Sequence, residues 1–305
     1  MSSVIEELES LGVRDLQYKI GPGGEVVTLR FLGRSVSEKA IPVIAQLPKL
    51  QTLDLSGSSI QDEALAGLNG LTEIQVLSLP AGTTDKGLET FSKCQKLERL
   101  YLGESRVTGS ALASFDLSSL LELDAADSDF GSEGMKPLQH ASGLKRLILR
   151  QTKVVNSNLA HISTLENLEY LDLRRTTIGD EGLSHLSGLS ALSHLDLSDC
   201  TGEISDQGVT HLSGLQKLRS LWLTRSAVTD ACVASLGEMK FLEEISFWDT
   251  QVTDAVFSEL AKLEAFKNKR LKRFHIRSAK VTEPGLDRFR KTLAGLHKSS
   301  HRLNP

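Results

Sequence analysis

The segment LEYLDLRRTTIGDEGLSHL, Leu168 to Leu186, is one copy of a unit that recurs along the whole chain. Its pattern is L-x-x-L-x-L-x-x-(T/S)-x-(I/V)-(T/S/G)-D-x-(G/A)-L-x-x-L. The first apolar positions fall at Val26, Leu50, Ile74, Leu97, Leu120, Leu144, Leu168, Leu192, Leu218, Leu242 and Leu271. Most spacings are 23 or 24 residues, with 26 before Leu218 and 29 before Leu271. A unit this short closes no core of its own, so it is stable only when stacked between neighbours.

The periods within the unit say how it stacks. In Leu171-Asp172-Leu173 apolar residues alternate, as a strand with one buried side requires. A hydroxyl position follows, at Ser58, Ser105, Ser128, Thr152, Thr176, Ser226 and Thr250, where a short side chain can bond turn backbone. The (I/V)-(T/S/G)-D step then opens a helix, with Asp62, Asp180, Asp206, Asp230 and Asp254 placed to cap its N-terminus. Apolar residues three apart, such as Leu183 and Leu186, face the same core. Five phenylalanines (Phe31, Phe115, Phe247, Phe274 and Phe289) stand where the unit has core leucines.

These residues resemble leucine-rich repeats, both the cysteine-containing subclass found in F-box ligase subunits and the bacterial, planctomycete-like T-x-(I/V)-T-D-x-G-L arrays. The resemblance covers residues 26–291 and implies an α/β leucine-rich-repeat solenoid of about eleven repeats. This is a right-handed curved superhelix with a parallel sheet on its concave face and helices on its convex face. It also implies protein recognition, with no particular partner. Cys94 sits where the subclass has its interstrand cysteine, and Cys200 takes the hydroxyl position; both read as small structural residues. An F-box would need a helical segment ahead of the repeats, where about 25 residues are available, so a substrate receptor of a ubiquitin-type ligase is the weaker alternative.

An exposed repeat edge aggregates unless capped. Residues 1–25 read as an N-terminal cap: a helix over 2–11, then Leu16, Tyr18 and Ile20 alternating into a Gly21-Pro22-Gly23-Gly24 hairpin. Pro284 starts a last helix running towards Leu296, and residues 292–305 read as a basic tail. Departures from the unit are the Thr201-Gly202 insertion, the lengthened connection at 263–270 and a one-residue shortening at Gly82. Each is either loop drift, which is cheap, or a place where specificity is written.

Charge divides the chain. Residues 262–305 hold 13 Lys and Arg against 3 Asp and Glu, an excess of +10, so residues 1–261 carry −14 of the overall −4. The basic end, with Lys267, Lys269, Arg270, Lys272 and Arg273, suggests an acidic polymer or anionic partner as a second reading. Nucleic acid is disfavoured, because no aromatic residues interleave with these bases. No apolar run spans a bilayer, the start lacks the layout of a secretory signal, and three cysteines suggest neither a disulfide framework nor a zinc cage. A reducing, cytoplasmic compartment is the simplest reading.

No phosphate loop, HExxH, GxSxG or CxxC occurs, so neither an enzyme nor a cofactor is indicated. His161, His185 and His211 share one column of the unit. They form either a solvent-facing repeat of one position or a metal- or pH-sensing stripe.

A partner would meet the outward strand positions, three per repeat. The chain has two Trp and three Tyr, and four of the five (Tyr101, Tyr170, Trp222 and Trp248) fall there. Chance would place about half a residue, and these are the types favoured in interface cores. Charged outward residues surround them: Asp124, Arg146, Arg150, Asp172, Arg174, His194, Asp196, His275 and Arg277. Arg150 and Arg174 are column neighbours whose repulsion an anionic group would relieve, unless each pairs with Asp172 or Asp196. Trp222 and Trp248 are expected to share one patch, rimmed by Arg174, Asp196, Arg225 and Asp249, with neither ring needed for stability.

Overall fold

From the second repeat on, each repeat contributes one three-residue strand, whose middle residue faces the core and whose flanking residues face outward. In the computed structural model, which describes residues 2–31, 36–278 and 280–298, these strands form one twelve-stranded sheet in strict chain order. They are β1 (Leu16–Ile20), β2 (Val26–Phe31), β3 (Thr52–Asp54), β4 (Val76–Ser78), β5 (Arg99–Tyr101) and β6 (Glu122–Asp124). Then follow β7 (Arg146–Ile148), β8 (Tyr170–Asp172), β9 (His194–Asp196), β10 (Ser220–Trp222), β11 (Glu244–Ser246) and β12 (Arg273–His275). β1 pairs antiparallel with β2; every later pair is parallel and in register, Leu147 beside Leu171 beside Leu195. The eleven repeats and the α/β solenoid expected from the period are thus present. The unit's leucines line one continuous core from Leu29 to Leu271.

The connecting segments are shorter than the unit suggests. Single α-turns such as Asp180–Leu183 pass into a 3₁₀ turn, Ser184–Leu186, and the whole of Asn156–Ile162 is 3₁₀. The hydroxyl column acts as expected. Thr152 and Thr176 donate to the carbonyls of Leu149 and Leu173 at 2.6 Å, and Thr250 to that of Phe247 at 2.9 Å. Ser58 is the exception: its buried Oγ has no partner among the described residues.

The aspartates do not cap their own helices. Where a hydroxyl residue precedes them it takes the cap: Thr84 accepts from the Lys86 N–H, Ser205 from the Gln207 N–H. Gln61 and Gly179, before Asp62 and Asp180, cap with no side-chain bond. In either case the carboxylate turns to the next repeat. Asp180 accepts from the N–H of Ser205 at 2.8 Å and from its hydroxyl at 2.5 Å. The same two bonds join Asp62 to Thr84, Asp85 to Thr108, Asp206 to Thr229, Asp230 to Thr253 and Asp254 to Thr282. Gly in the unit makes room for this staple: a Cβ at Gly208 would lie 2.0 Å from Asp180 Oδ1, and one at Gly87 2.2 Å from Asp62 Oδ1. The staple lapses mid-array, where Gly109, Ser132 and Asn156 replace the aspartate.

A second ladder runs beyond the strands. Glu104, Asp127, Gln151, Arg175, Asp199, Arg225 and Asp249 all sit at φ between 53° and 60°. In that left-handed conformation each N–H donates to a carbonyl of the next repeat, as Asp199 does to Thr224.

At the ends, the cap helix Ser2–Ser10 and the β1–β2 hairpin form as expected, but Tyr18 and Ile20 are each 48% exposed, so β1 is an open edge strand. The last helix, Glu283–Lys298, runs past residue 291 into the segment read as a tail; residues 299–305 lie outside the described residues. Phe31, Phe247 and Phe289 are buried, whereas Phe115 and Phe274 are only partly so. Phe274 lies on the terminal strand, where its neighbours are the Phe266 and Phe289 rings.

Candidate recognition face

Strand register sorts the outward side chains into rows that cross the sheet. One row runs Arg99, Glu122, Arg146, Tyr170, His194, Ser220, Glu244, Arg273. The next runs Tyr101, Asp124, Ile148, Asp172, Asp196, Trp222, Ser246, His275. Arg150, Arg174, Trp248 and Arg277 follow one step further on, and Arg225 and Asp249 lie on the left-handed ladder beside them.

The charged residues of this face neutralise one another. Arg146 pairs with Glu122 at 3.2 Å, and its guanidinium lies 3.7 Å from the centre of the Tyr170 ring. Arg150 pairs with Asp127, not with Asp172. Arg174 bonds Asp172 through Nε at 2.9 Å and approaches Asp196 at 3.3 Å, and its hydrogen bonds to Asp172 hold its proton more tightly than usual. Arg225 bridges Asp199 at 2.7 Å and Asp249 at 3.7 Å. The repulsion expected between Arg150 and Arg174 is therefore already relieved within the protein. Asp124, Asp172 and Asp196 each also accept the N–H two residues on, so they close the strand ends, Asp172 and Asp196 while also pairing with Arg174. Burial pushes the carboxyls of Asp124 and Asp196 above the usual range.

The four outward aromatics differ in how firmly they are held. Tyr101 donates its hydroxyl to Glu122 at 3.1 Å; burial first, then the Glu122 charge, pushes its phenol up. Tyr170 stacks on His194, ring centroids 5.9 Å apart. Trp222, half-buried, donates Nε1 to Ser220 Oγ at 2.7 Å and stacks on His275 at 4.8 Å and 24°. Trp248 is 41% exposed, with Arg277 5.4 Å from its ring centre. The two tryptophans make no ring contact among the described residues; each turns instead to the final repeat. Trp222, unlike Trp248, has a hydrogen bond and a stacking partner inside the fold, which argues for a contribution to stability where the sequence suggests none.

Two residues that matter here were passed over in the sequence. Glu122 and Glu244, in the same row, are 21% and 14% exposed at the side chain. Glu244 receives Ser220 Oγ at 3.4 Å, His275 Nε2 at 2.9 Å and Arg273 at 3.2 Å. An outward glutamate reads as solvated; only strand register shows that each faces an arginine and an aromatic row. A recess of about 630 Å³ was also unforeseen. It lies on the N-terminal half of the face, over Thr52, Val76 and Ser78, between Arg30 and Tyr101. Small residues there leave the hollow.

His161 and His185 are half-buried and His211 is exposed. Among the described residues no three His, Cys, Asp or Glu side chains are arranged to hold a metal. Cys94 and Cys200 donate to the carbonyls of Leu71 and Leu173, and burial pushes both thiols up to about 11. No helix among the described residues is long and apolar enough to cross a membrane.

The family model described as Leucine Rich repeat matches residues 46–68 and 164–187, one repeat each. No curated protein matches the chain in sequence. Among solved structures it is similar to an LRR protein of Leptospira interrogans, with a TM-score of 0.58 and 17% identity over 83% of this chain and 73% of that one. It is also similar to internalin C2 of Listeria monocytogenes, at TM-score 0.53 and 21% identity over 80% and 92%. A third is the plant peptide hormone receptor RGFR1 in complex with RGF2, at TM-score 0.55 and 16% identity over 90% of this chain and 54% of that one. At these identities the likeness concerns the fold, a leucine-rich-repeat solenoid.

Proposed function

We propose that this chain is a non-catalytic recognition scaffold that binds a protein partner on the concave, outward face of its sheet. The observation that carries this reading is the placement of Tyr101, Tyr170, Trp222 and Trp248 on that face, three of them held in fixed orientations. Rings fixed before binding lose little freedom on association, and truncation of such central aromatics is typically costly. The self-neutralised charges around them act as a rim that excludes wrong partners more than it adds affinity. That the solved receptor above is complexed with RGF2 agrees with such a role for the fold. Free thiols at Cys94, Cys200 and Cys232 fit a reducing, cytoplasmic compartment. The test is a pull-down comparing the wild type with the Trp222→Ala/Trp248→Ala double variant. Specific partners should be captured by the first and lost by the second; equal capture overturns the assignment.

A second reading has its own observation. Lys267, Lys272 and Lys280 are exposed and have no ion pair among the described residues, while Arg270 and Arg273 are engaged by Phe241 and Glu244. If an anionic partner docks there, this basic end should bind heparin-like probes at low salt and release them steeply as salt rises. No binding at low salt removes it.

A further inference from the structure

We propose that Glu122 and Glu244 are positioning residues of the recognition face, each fixing outward aromatic rings from the same row of the sheet. This rests on the reading of that face as the binding surface. Glu244 anchors both supports of Trp222: Ser220, which accepts the indole N–H, and His275, on which the ring stacks. Glu122 holds Tyr101 directly through its hydroxyl, and holds Arg146, whose guanidinium covers Tyr170. Three of the four outward aromatics therefore depend on two carboxylates, which lie five strands apart. Neither glutamate is needed to fill the core, since both point away from it, and neither closes a turn as Asp124, Asp172 and Asp196 do. Trp248 has no such support and is the most exposed of the four. The partner meets three fixed rings spread over two adjacent rows, Tyr170 in one and Tyr101 and Trp222 in the other, with one adaptable ring towards the C-terminal end. Fixed rings raise affinity by lowering the ordering cost of binding.

The test uses the full chain with Trp248→Phe, which leaves Trp222 as the sole tryptophan. In that background Glu244→Ala should raise acrylamide quenching of Trp222 and weaken its near-ultraviolet dichroism, with the far-ultraviolet spectrum unchanged. Glu244→Gln, which keeps an acceptor for Ser220 and His275, should restore both signals towards the parent. For Glu122, tyrosinate absorbance should show one phenol ionising at lower pH in Glu122→Gln than in the wild type. Affinity for the partner captured by the wild type should fall about tenfold or more in Glu244→Ala. Unchanged quenching in a folded Glu244→Ala protein overturns the proposal, as does a loosened ring with undiminished affinity. If Glu244→Ala does not fold, His275→Ala takes its place, and the ring must loosen there too. Were Trp222→Ala itself to bind normally, the face would fail as the binding surface, and the quenching would still decide what orients the ring.

Discussion

Asp180 and Ser205 lie in successive repeats, and the carboxylate of the first takes both the backbone N–H and the hydroxyl of the second. This staple occurs at six places among the described residues, Asp85 to Thr108 included, and uses a charged acceptor, for which hydrogen bonds contribute about 1.5–3 kcal/mol. Asp180→Ala should therefore lower stability by about that much in urea unfolding, leaving the Ser205 N–H unpaired. Gly208→Ala should do the same by pushing its methyl into the Asp180 carboxylate. The two losses should be less than additive in the double variant, because removing the carboxylate removes the clash. Full additivity would mean the two residues act separately.

Acid should loosen the same joints. The hydroxyl and N–H of Thr282 hold the Asp254 carboxyl below its usual range. At Asp85 burial works the other way, but the N–H of Ala111 and the Thr108 donors outweigh it, and the carboxyl again sits low. A carboxylate with a lowered folded pKa gives stability that is complete above its unfolded value, about 3.9, and is lost as pH falls through the folded one. Melting temperature should be flat near neutral pH and drop below about pH 4. Asp85→Asn should be less stable at neutral pH and flatter through the acid range; an unchanged acid profile would rule out this joint.

The array was legible because its information is periodic: one misread residue is outvoted by ten copies, and the leucine register held from Leu29 to Leu271. What period cannot carry is contact between repeats. Asp180 looked like a cap because an aspartate at a helix start often is one, and its partner lies 25 residues away. Glu122 and Glu244 were illegible for the same reason, since an outward glutamate acquires meaning only from the neighbouring strands. Trp222 was placed on the right face, but its ring reaches His275, two strands away across Ser246.

The left-handed ladder offers a gain rather than a loss. Glu104 is exposed, sits at φ 60° and uses only its N–H in the joint to Ala126. That conformation costs an L-residue about 1–2 kcal/mol. Glycine avoids the cost but loses about 0.5–1 kcal/mol through its freer unfolded chain. Glu104→Gly should thus stabilise the protein slightly, by up to about 1 kcal/mol. A clear drop in the unfolding midpoint would show that the glutamate side chain has a role the backbone argument misses.

Core and face can be separated with three alanine variants read by unfolding and by partner capture. Leu171 is fully buried in the middle of the array, so Leu171→Ala should cost about 2–5 kcal/mol as a core cavity. Trp248 is 41% exposed, with Arg277 5.4 Å from its ring centre; Trp248→Ala should stay within about 0.5 kcal/mol of wild type, like other surface changes. Trp222 lies between these cases. Removing its ring forfeits the Ser220 hydrogen bond and the His275 stack, together worth about 1–2 kcal/mol, yet opens no cavity between sheet and helices. The order of stability should therefore be Trp248→Ala, then Trp222→Ala, then Leu171→Ala. Capture should follow a different order, with both tryptophan variants impaired and any still-folded Leu171→Ala protein binding normally. If the two orders coincide, binding simply tracks folding, and the outward rings are not the contact.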